Sequence, residues 1–190
     1  NIEPSAQLPY ALYDEGPSLE DCDLLAAATP LKVLRKTHQL VTEKAKELDK
    51  PLLDGLAKAG FALDYGTDNT GWLFKYLERG GGYYFNVGCS DLIANGQIRL
   101  IQYRDIDQFI ASGVKLNHGE IIDADLLVTA TGYKGQHHLV TRLFGEGVAA
   151  RCGPIWGFDE ENQELRNMWM RTRQPGLWFI AGSLAQFRIF

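Results

Sequence analysis

The chain has 190 residues, 19 Lys and Arg against 24 Asp and Glu, and a formal net charge of −5, with 45% hydrophobic and 23% charged content. These values describe an ordinary globular protein, long enough to bury a core in one domain or two small ones. The acidic balance argues against nucleic acid, whose binders carry a basic face.

Cys22, Cys89 and Cys152 are far apart and form no CxxC, which argues against a disulfide framework and suits a reducing cytosol. No apolar stretch approaches the ~20 residues of a membrane span, and no signal peptide is visible. A cytoplasmic location is therefore expected. The opening Asn1-Ile2-Glu3-Pro4 is not a natural start, and Phe187-Arg188-Ile189-Phe190 stop inside an apolar pattern. Truncation at both ends is expected.

The segment from Glu3 to Pro30 holds four of the seven prolines. It reads as an extended lead-in with a short helical piece around Leu19 to Ala28. Thr29-Pro30 looks like an N-cap followed by proline at the first helical position. Leu31, Leu34, Val41, Ala45 and Leu48 then fall on one helical face, with His38 between them at the edge of that face. Pro51 starts a second short helix with Leu52, Leu53, Leu56 and Ala57 on its apolar side, and Gly60 is a plausible C-cap.

Asp64 to Gly71 is a polar turn region. A short aromatic helix with Trp72 and Tyr76 one turn apart follows, ended by Gly80-Gly81-Gly82. Asn95-Gly96 is a strong turn dipeptide. Ile98 to Tyr103 has strand character. Val114 to His118 and Ile121 to Thr129 flank a Gly119 turn as a hairpin or meander. Pro175-Gly176 introduces a strand, Leu177 to Ala181, which runs into Gly182-Ser183 and a helix starting at Leu184.

Two of these stretches point to chemistry. Asp123 to Tyr133 reads DADLLVTATGY. Leu126 to Thr129 suit a strand covered on both faces, and Gly132 clears the exit for a close approach. At the other stretch, Ser183 is a sound N-cap. The helix start behind Gly182 favours partial negative charge. A third stretch, GWLFKYLERGGGYYFNVG from Gly71 to Gly88, sets aromatic rings around a pliant triple glycine. Such a wall suits a ring substrate or a cofactor face.

The string Ala130-Thr131-Gly132-Tyr133 resembles a signature of flavin-containing monooxygenases. The run from Gly71 to Ile93 is similar to one in bacterial and fungal members, among them relatives of the hydroxyacetophenone, Baeyer-Villiger-type, enzymes. The strand-Gly-Ser-helix lies in the same order as in that family. The resemblance implies an α/β fold: an incomplete two-dinucleotide-binding, Rossmann-like flavoprotein with a helical segment and a β-meander. Residues 1–132 would be the carboxyl-terminal part of an NADPH-binding domain. Residues 133–190 would be the carboxyl-terminal part of an FAD-binding domain.

The implied parent enzyme uses FAD and NADPH to insert one oxygen atom from O2 into a ketone or a nitrogen or sulfur nucleophile, through a flavin C4a-hydroperoxide. The resemblance places Thr131, Gly132 and Tyr133 at the domain crossing. It sets Gly182, Ser183 and Leu184 beside the flavin, and Tyr83, Tyr84 and Asn86 toward the substrate or nicotinamide. It names no catalytic base and no metal ligand.

The chain also departs from the family. It contains no GxGxxG, the glycine turn that cradles a dinucleotide pyrophosphate, and it lacks the family's FxGxxxHxxx(Y/F) segment. The isolated chain is therefore expected to be inactive and to self-associate, as a homo-oligomer or by aggregation, through uncovered apolar surface. The alternative is a catalytically inactive fragment or interaction module. A serine hydrolase is disfavoured because Gly182-Ser183-Leu184-Ala185 lacks the second glycine of GxSxG. Adjacent His137 and His138 do not make a metal site, since chain neighbours face different ways.

Overall fold

The computed structural model describes residues 4–14 and 16–190. A 3-10 stretch, Pro4–Tyr13, precedes helices α1 (Leu19–Ala28), α2 (Leu31–Leu48) and α3 (Lys50–Lys58). A 3-10 turn at Thr67–Asn69 leads to α4 (Gly71–Arg79) and α5 (Cys89–Ala94). Strands β1 (Ile106–Ile110), β2 (Gly113–Leu116) and β3 (Ile121–Asp123) follow. Then come α6 (Gln136–Phe144), α7 (Glu146–Cys152), the short strands β4 (Phe158–Asp159) and β5 (Glu164–Leu165), and α8 (Leu184–Ile189). The class is mixed helix and small sheet. Both sheets are antiparallel. Residues 1–3, where the lead-in was expected to begin, lie outside the described residues.

The elements sort into two compact units. One comprises Asn1–Asp49, Tyr65–Asn86 and Lys134–Phe190, and the other Lys50–Asp64 and Val87–Tyr133. The last crossing between them falls after Tyr133.

In the smaller unit, β1, β2 and β3 form an antiparallel sheet in sequence order. Its core is Leu56 of α3, Ile93 of α5, and Val114 and Leu116 of β2, all buried. Gly113 has φ +151, and a Cβ there would overlap the Ile122 carbonyl across the sheet. Only glycine allows β2 to start that close to β3.

Two expectations fail in this unit. The strand predicted over Ile121 to Thr129 stops at Asp123, and Leu126, Leu127 and Val128 are exposed at 78%, 57% and 74% rather than covered. The register explains the stop. Gly113 sits opposite Asp123, and the final bond is Ala124 N–H to Ser112 O at 2.8 Å. Beyond that point β2 has turned away at Ala111-Ser112, so the apolar run has no ladder to join. The strand expected at Ile98 to Tyr103 is likewise irregular, ending in a 3-10 turn at Tyr103–Asp105. β1 instead occupies Ile106–Ile110, with a bulge at Asp107.

In the larger unit, α2 buries Leu31, His38 and Thr42, a narrower stripe than the predicted face, and Leu48 is half exposed. Thr29 does not cap α2. It closes α1, its hydroxyl donating back to Leu25 O at 2.6 Å, and Pro30 is the N-cap of α2. The lead-in expected to be extended is a 3-10 stretch. Phe74 of α4 is fully buried. Its ring meets His38 at 5.4 Å and Phe158 at 5.3 Å, and the Arg35 guanidinium lies 5.3 Å from its centre. Arg35 is held there by Asp68 and Glu160 at 3.4 and 2.9 Å.

A second cluster joins Val140 of α6 and Ala149 of α7 to Ile155 and Met168. Trp156, Trp169, Phe179 and Ala181 are packed against it. The strand expected over Leu177 to Ala181 is reduced to one parallel bridge between Met168 and Phe179. Its side chains still alternate as a strand's do: Phe179 and Ala181 pack inward, while Trp178 and Ile180 are exposed. Only one flank of the segment finds a partner, and a single bridge does not propagate a ladder.

Candidate functional site

Gly182 and Ser183 lie in the turn Ala181-Gly182-Ser183 at the start of α8. Gly182 has φ +126, and a Cβ there would overlap Gln186 Oε1 and come within 3.0 Å of the Tyr76 hydroxyl. A side chain is excluded by conformation and by contact at once. The contact is made by the protein's own Gln186 and Tyr76, a neighbourhood the sequence reading had reserved for a bound ring.

Ser183 caps α8 in a reciprocal capping box. Its hydroxyl accepts from Gln186 N–H at 3.4 Å, and its own N–H donates to Gln186 Oε1 at 3.3 Å. The Tyr76 hydroxyl, from α4, also donates to Gln186 Oε1, at 2.5 Å. Ser183 further hydrogen-bonds Tyr76 through its backbone and Tyr10 through its side chain.

An aromatic cluster adjoins the two phenols. Trp72 lies 6.2 Å from Tyr10, 5.2 Å from Tyr83 and 5.1 Å from Phe85, and Tyr83 and Phe85 meet edge-on at 5.5 Å. Burial pushes the phenols of Tyr10, Tyr76 and Tyr83 above their usual range, partly offset at Tyr10 and Tyr76 by the bonds from Ser183. All three therefore stay protonated at neutral pH, and the Tyr76 hydroxyl acts as a donor, to Gln186. Trp72 Nε1 is buried with no hydrogen-bond partner among the described residues. Such a group calls for a partner.

The structure thus brings Gly182 and Ser183 together with Tyr76, and links them through Tyr10 to Trp72 and Tyr83. Leu184, the first residue of α8, is exposed. Tyr84 is half exposed and Asn86 is buried. Thr131, Gly132 and Tyr133 belong to the other unit, where they are exposed and outside regular structure, Tyr133 fully so. Tyr10 and Gln186 were missed by sequence reasoning. Gln186 was findable, because Ser-x-x-Gln ahead of a helix is a capping box. Tyr10 meets Ser183 only through tertiary folding and carried no local signal.

The smaller unit has its own feature, an open groove of about 680 Å³ between the end of α3, the segment 99–102 and the β2–β3 turn. At its edge Glu120 accepts from Arg99 at 2.8 Å and meets His118 at 3.1 Å. Arg99 first, then His118, holds the Glu120 carboxyl below its usual range. These side chains are solvent-exposed and satisfy one another.

Among the described residues no cluster of three His, Cys, Asp or Glu is placed to hold a metal ion, and no helix is long and apolar enough to cross a membrane. His137 Nδ1 faces the Gly153 carbonyl at 3.2 Å, a local contact within the α6–α7 region. The chain matches no family model, and no curated protein matches it.

Proposed function

We propose that the chain is a portion of an FAD-dependent, NADPH-using monooxygenase that oxygenates a small ketone or a nitrogen or sulfur nucleophile, and that Gly182 and Ser183 face the cofactor's ring. The observation that carries the reading is the convergence just described. A side-chain-free, capped turn is linked by hydrogen bonds to the phenols of Tyr10 and Tyr76, next to an aromatic cluster that holds an unpartnered buried donor, Trp72 Nε1. Bare backbone, flat apolar surface and a few fixed donors are what a planar, acceptor-bearing ring requires.

The residues present fit the ring end of such a cofactor. They do not fit its pyrophosphate, for which the sequence offers no GxGxxG turn,. When bound, the flavin supplies the redox and oxygen-transfer chemistry. The chain's own part is narrower. Gly182 leaves room for the Gln186 carboxamide and the Tyr76 hydroxyl. Ser183, Tyr10 and Tyr76 keep their protons and orient donors. Trp72, Tyr83 and Phe85 exclude water from the neighbourhood. Thr131, Gly132 and Tyr133 enter the reading as the family's domain crossing, in keeping with the passage between the two units after Tyr133. The two-dinucleotide fold, a substrate side formed by Tyr83, Tyr84 and Asn86, and a cytoplasmic setting belong to the same proposal.

A second reading is an interaction module without catalysis. It is favoured by the exposed run Leu126 to Val128 together with the missing glycine fingerprints. Visible flavin absorbance separates the two. Protein that takes up FAD, even weakly and only at high FAD concentration, supports the monooxygenase portion, and protein that takes up none at that concentration supports the module.

A further inference from the structure

We infer that Tyr76 is a positioning residue for the Gly182–Ser183 turn and acts through the Gln186 carboxamide. The inference rests on the flavin reading only for what the turn faces. α8 has six residues, too few to sustain a helix by its own hydrogen bonds. Its start must be held from outside, and Gln186 is where that happens. One amide oxygen, Gln186 Oε1, accepts the Tyr76 hydroxyl at 2.5 Å and the Ser183 N–H at 3.3 Å, while the Gln186 N–H returns to the Ser183 hydroxyl at 3.4 Å. Ser183 also engages Tyr76 directly through its backbone. Tyr76, Ser183 and Gln186 therefore close a circuit, in which Tyr76 comes from 110 residues away in the chain.

Tyr76 itself is firmly placed. Its helix neighbours Phe74 and Leu77 are buried. Its carbonyl accepts the Trp156 indole N–H at 2.8 Å, and the two rings meet edge-on at 5.2 Å. α4 thus provides the fixed point, and the phenol passes that position to a turn that could not hold it alone. Gly182 completes the arrangement, because any side chain there would occupy the place of the Gln186 oxygen.

The test is amide hydrogen exchange by NMR on the 190-residue chain, read at Ser183 and Gln186, with α6 and α7 as internal reference. Tyr76→Phe keeps the ring and removes the hydroxyl. It should speed exchange at both amides about tenfold, the loss of roughly one hydrogen bond, and leave α6 and α7 unchanged. Gln186→Leu should do at least as much, and adding Tyr76→Phe to it should have a smaller effect than Tyr76→Phe has in the unsubstituted chain. Gln186→Glu keeps an acceptor for both donors and should restore protection. Unchanged exchange in Tyr76→Phe, additive effects in the double variant, or no rescue by Gln186→Glu would overturn the inference. Repeating the spectra with added FAD separates it from the flavin reading. FAD that shifts no resonance from Ala181 to Gln186 in the unsubstituted chain counts against the ring contact, while the exchange rates still decide the role of Tyr76.

Discussion

Arg188 and Asp23 meet through Nη2 and Oδ1 at 2.6 Å, joining α8 to α1 across 165 residues of chain. The Tyr13 hydroxyl donates to the same carboxylate oxygen at 3.1 Å, and the Arg188 guanidinium lies 5.8 Å from the Tyr13 ring centre. One carboxylate thus gathers three elements. The pair is partly solvent-accessible, so its contribution is small. Asp23→Asn should lower the urea midpoint slightly at low salt. The difference from the unsubstituted chain should shrink as salt is added. A salt-independent loss would mean that the carboxylate acts by shape alone.

His38 sets an acid limit on the larger unit. Burial lowers its pKa from 6.5 to about 4, and the Arg35 guanidinium shares the Phe74 ring against which it packs. The folded chain therefore resists a proton that the unfolded chain accepts. Stability from this group is complete above pH 6.5, declines as pH falls through 6.5 toward 4, and is fully lost below about 4. The difference of about 2.5 pH units, at about 1.4 kcal/mol each, caps the loss near 3 kcal/mol. Urea unfolding of the unsubstituted chain and of His38→Gln at several pH values between 4 and 7 checks it. The variant should be weaker at neutral pH but flatter toward acid.

Gly182→Val should loosen the start of α8 while leaving the α6–α7 cluster intact. The φ of +126 is unfavourable for valine, and its Cβ would displace the Gln186 amide from both its donors. A cost of about 1–3 kcal/mol, confined to the last turn, is expected. Hydrogen exchange maps where it falls. In a full-length parent that holds flavin at this turn, flavin content should fall before the unfolding midpoint does. Unchanged content with a lowered midpoint would leave the glycine a structural role only.

The 190-residue chain alone should not turn over NADPH. Dinucleotide binding depends on a glycine-rich turn that brings backbone N–H groups to the pyrophosphate, and the sequence contains no GxGxxG. A charge at a helix start contributes only about 0.3–1 kcal/mol at an exposed site, against roughly 8 kcal/mol for micromolar affinity. Calorimetric titration with FAD and NADPH, with an oxygen electrode alongside, should show no tight binding and no oxygen uptake. Tight stoichiometric uptake of FAD would require an anchor that this sequence does not display.

What could be read in advance was local. The helices α2 and α3, the end of α4 at Gly80, the β2–β3 turn at Gly119 and the cap at Ser183 follow from periodicity and turn chemistry within a few residues. What could not be read was pairing. Ile98 to Tyr103, Leu126 to Thr129 and Leu177 to Ala181 all have strand composition, yet a strand exists only where a second backbone lies alongside. The partner of β3 runs out at Ser112, a fact of register that composition does not carry. The site divides in the same way. Gly182 and Ser183 declared themselves by type and order, and Gln186 by its spacing. Tyr10 enters the cluster only because the 3-10 stretch at the other end of the chain folds against it.

The exposed run after β3 has a consequence for how the protein behaves at high concentration. Leu126, Leu127 and Val128 form a solvent-facing apolar string with high strand propensity, the kind of segment that stacks edge to edge between molecules. Asp123 and Asp125 sit at its head. Their charges act as gatekeepers, because stacking identical copies in register would set each carboxylate against its own image. Replacing Asp125 with valine would join Ala124 to Val128 into a five-residue neutral segment and remove the charge that now interrupts it. In this reading the two aspartates serve colloidal solubility, a task separate from folding and from any chemistry at the Gly182 turn.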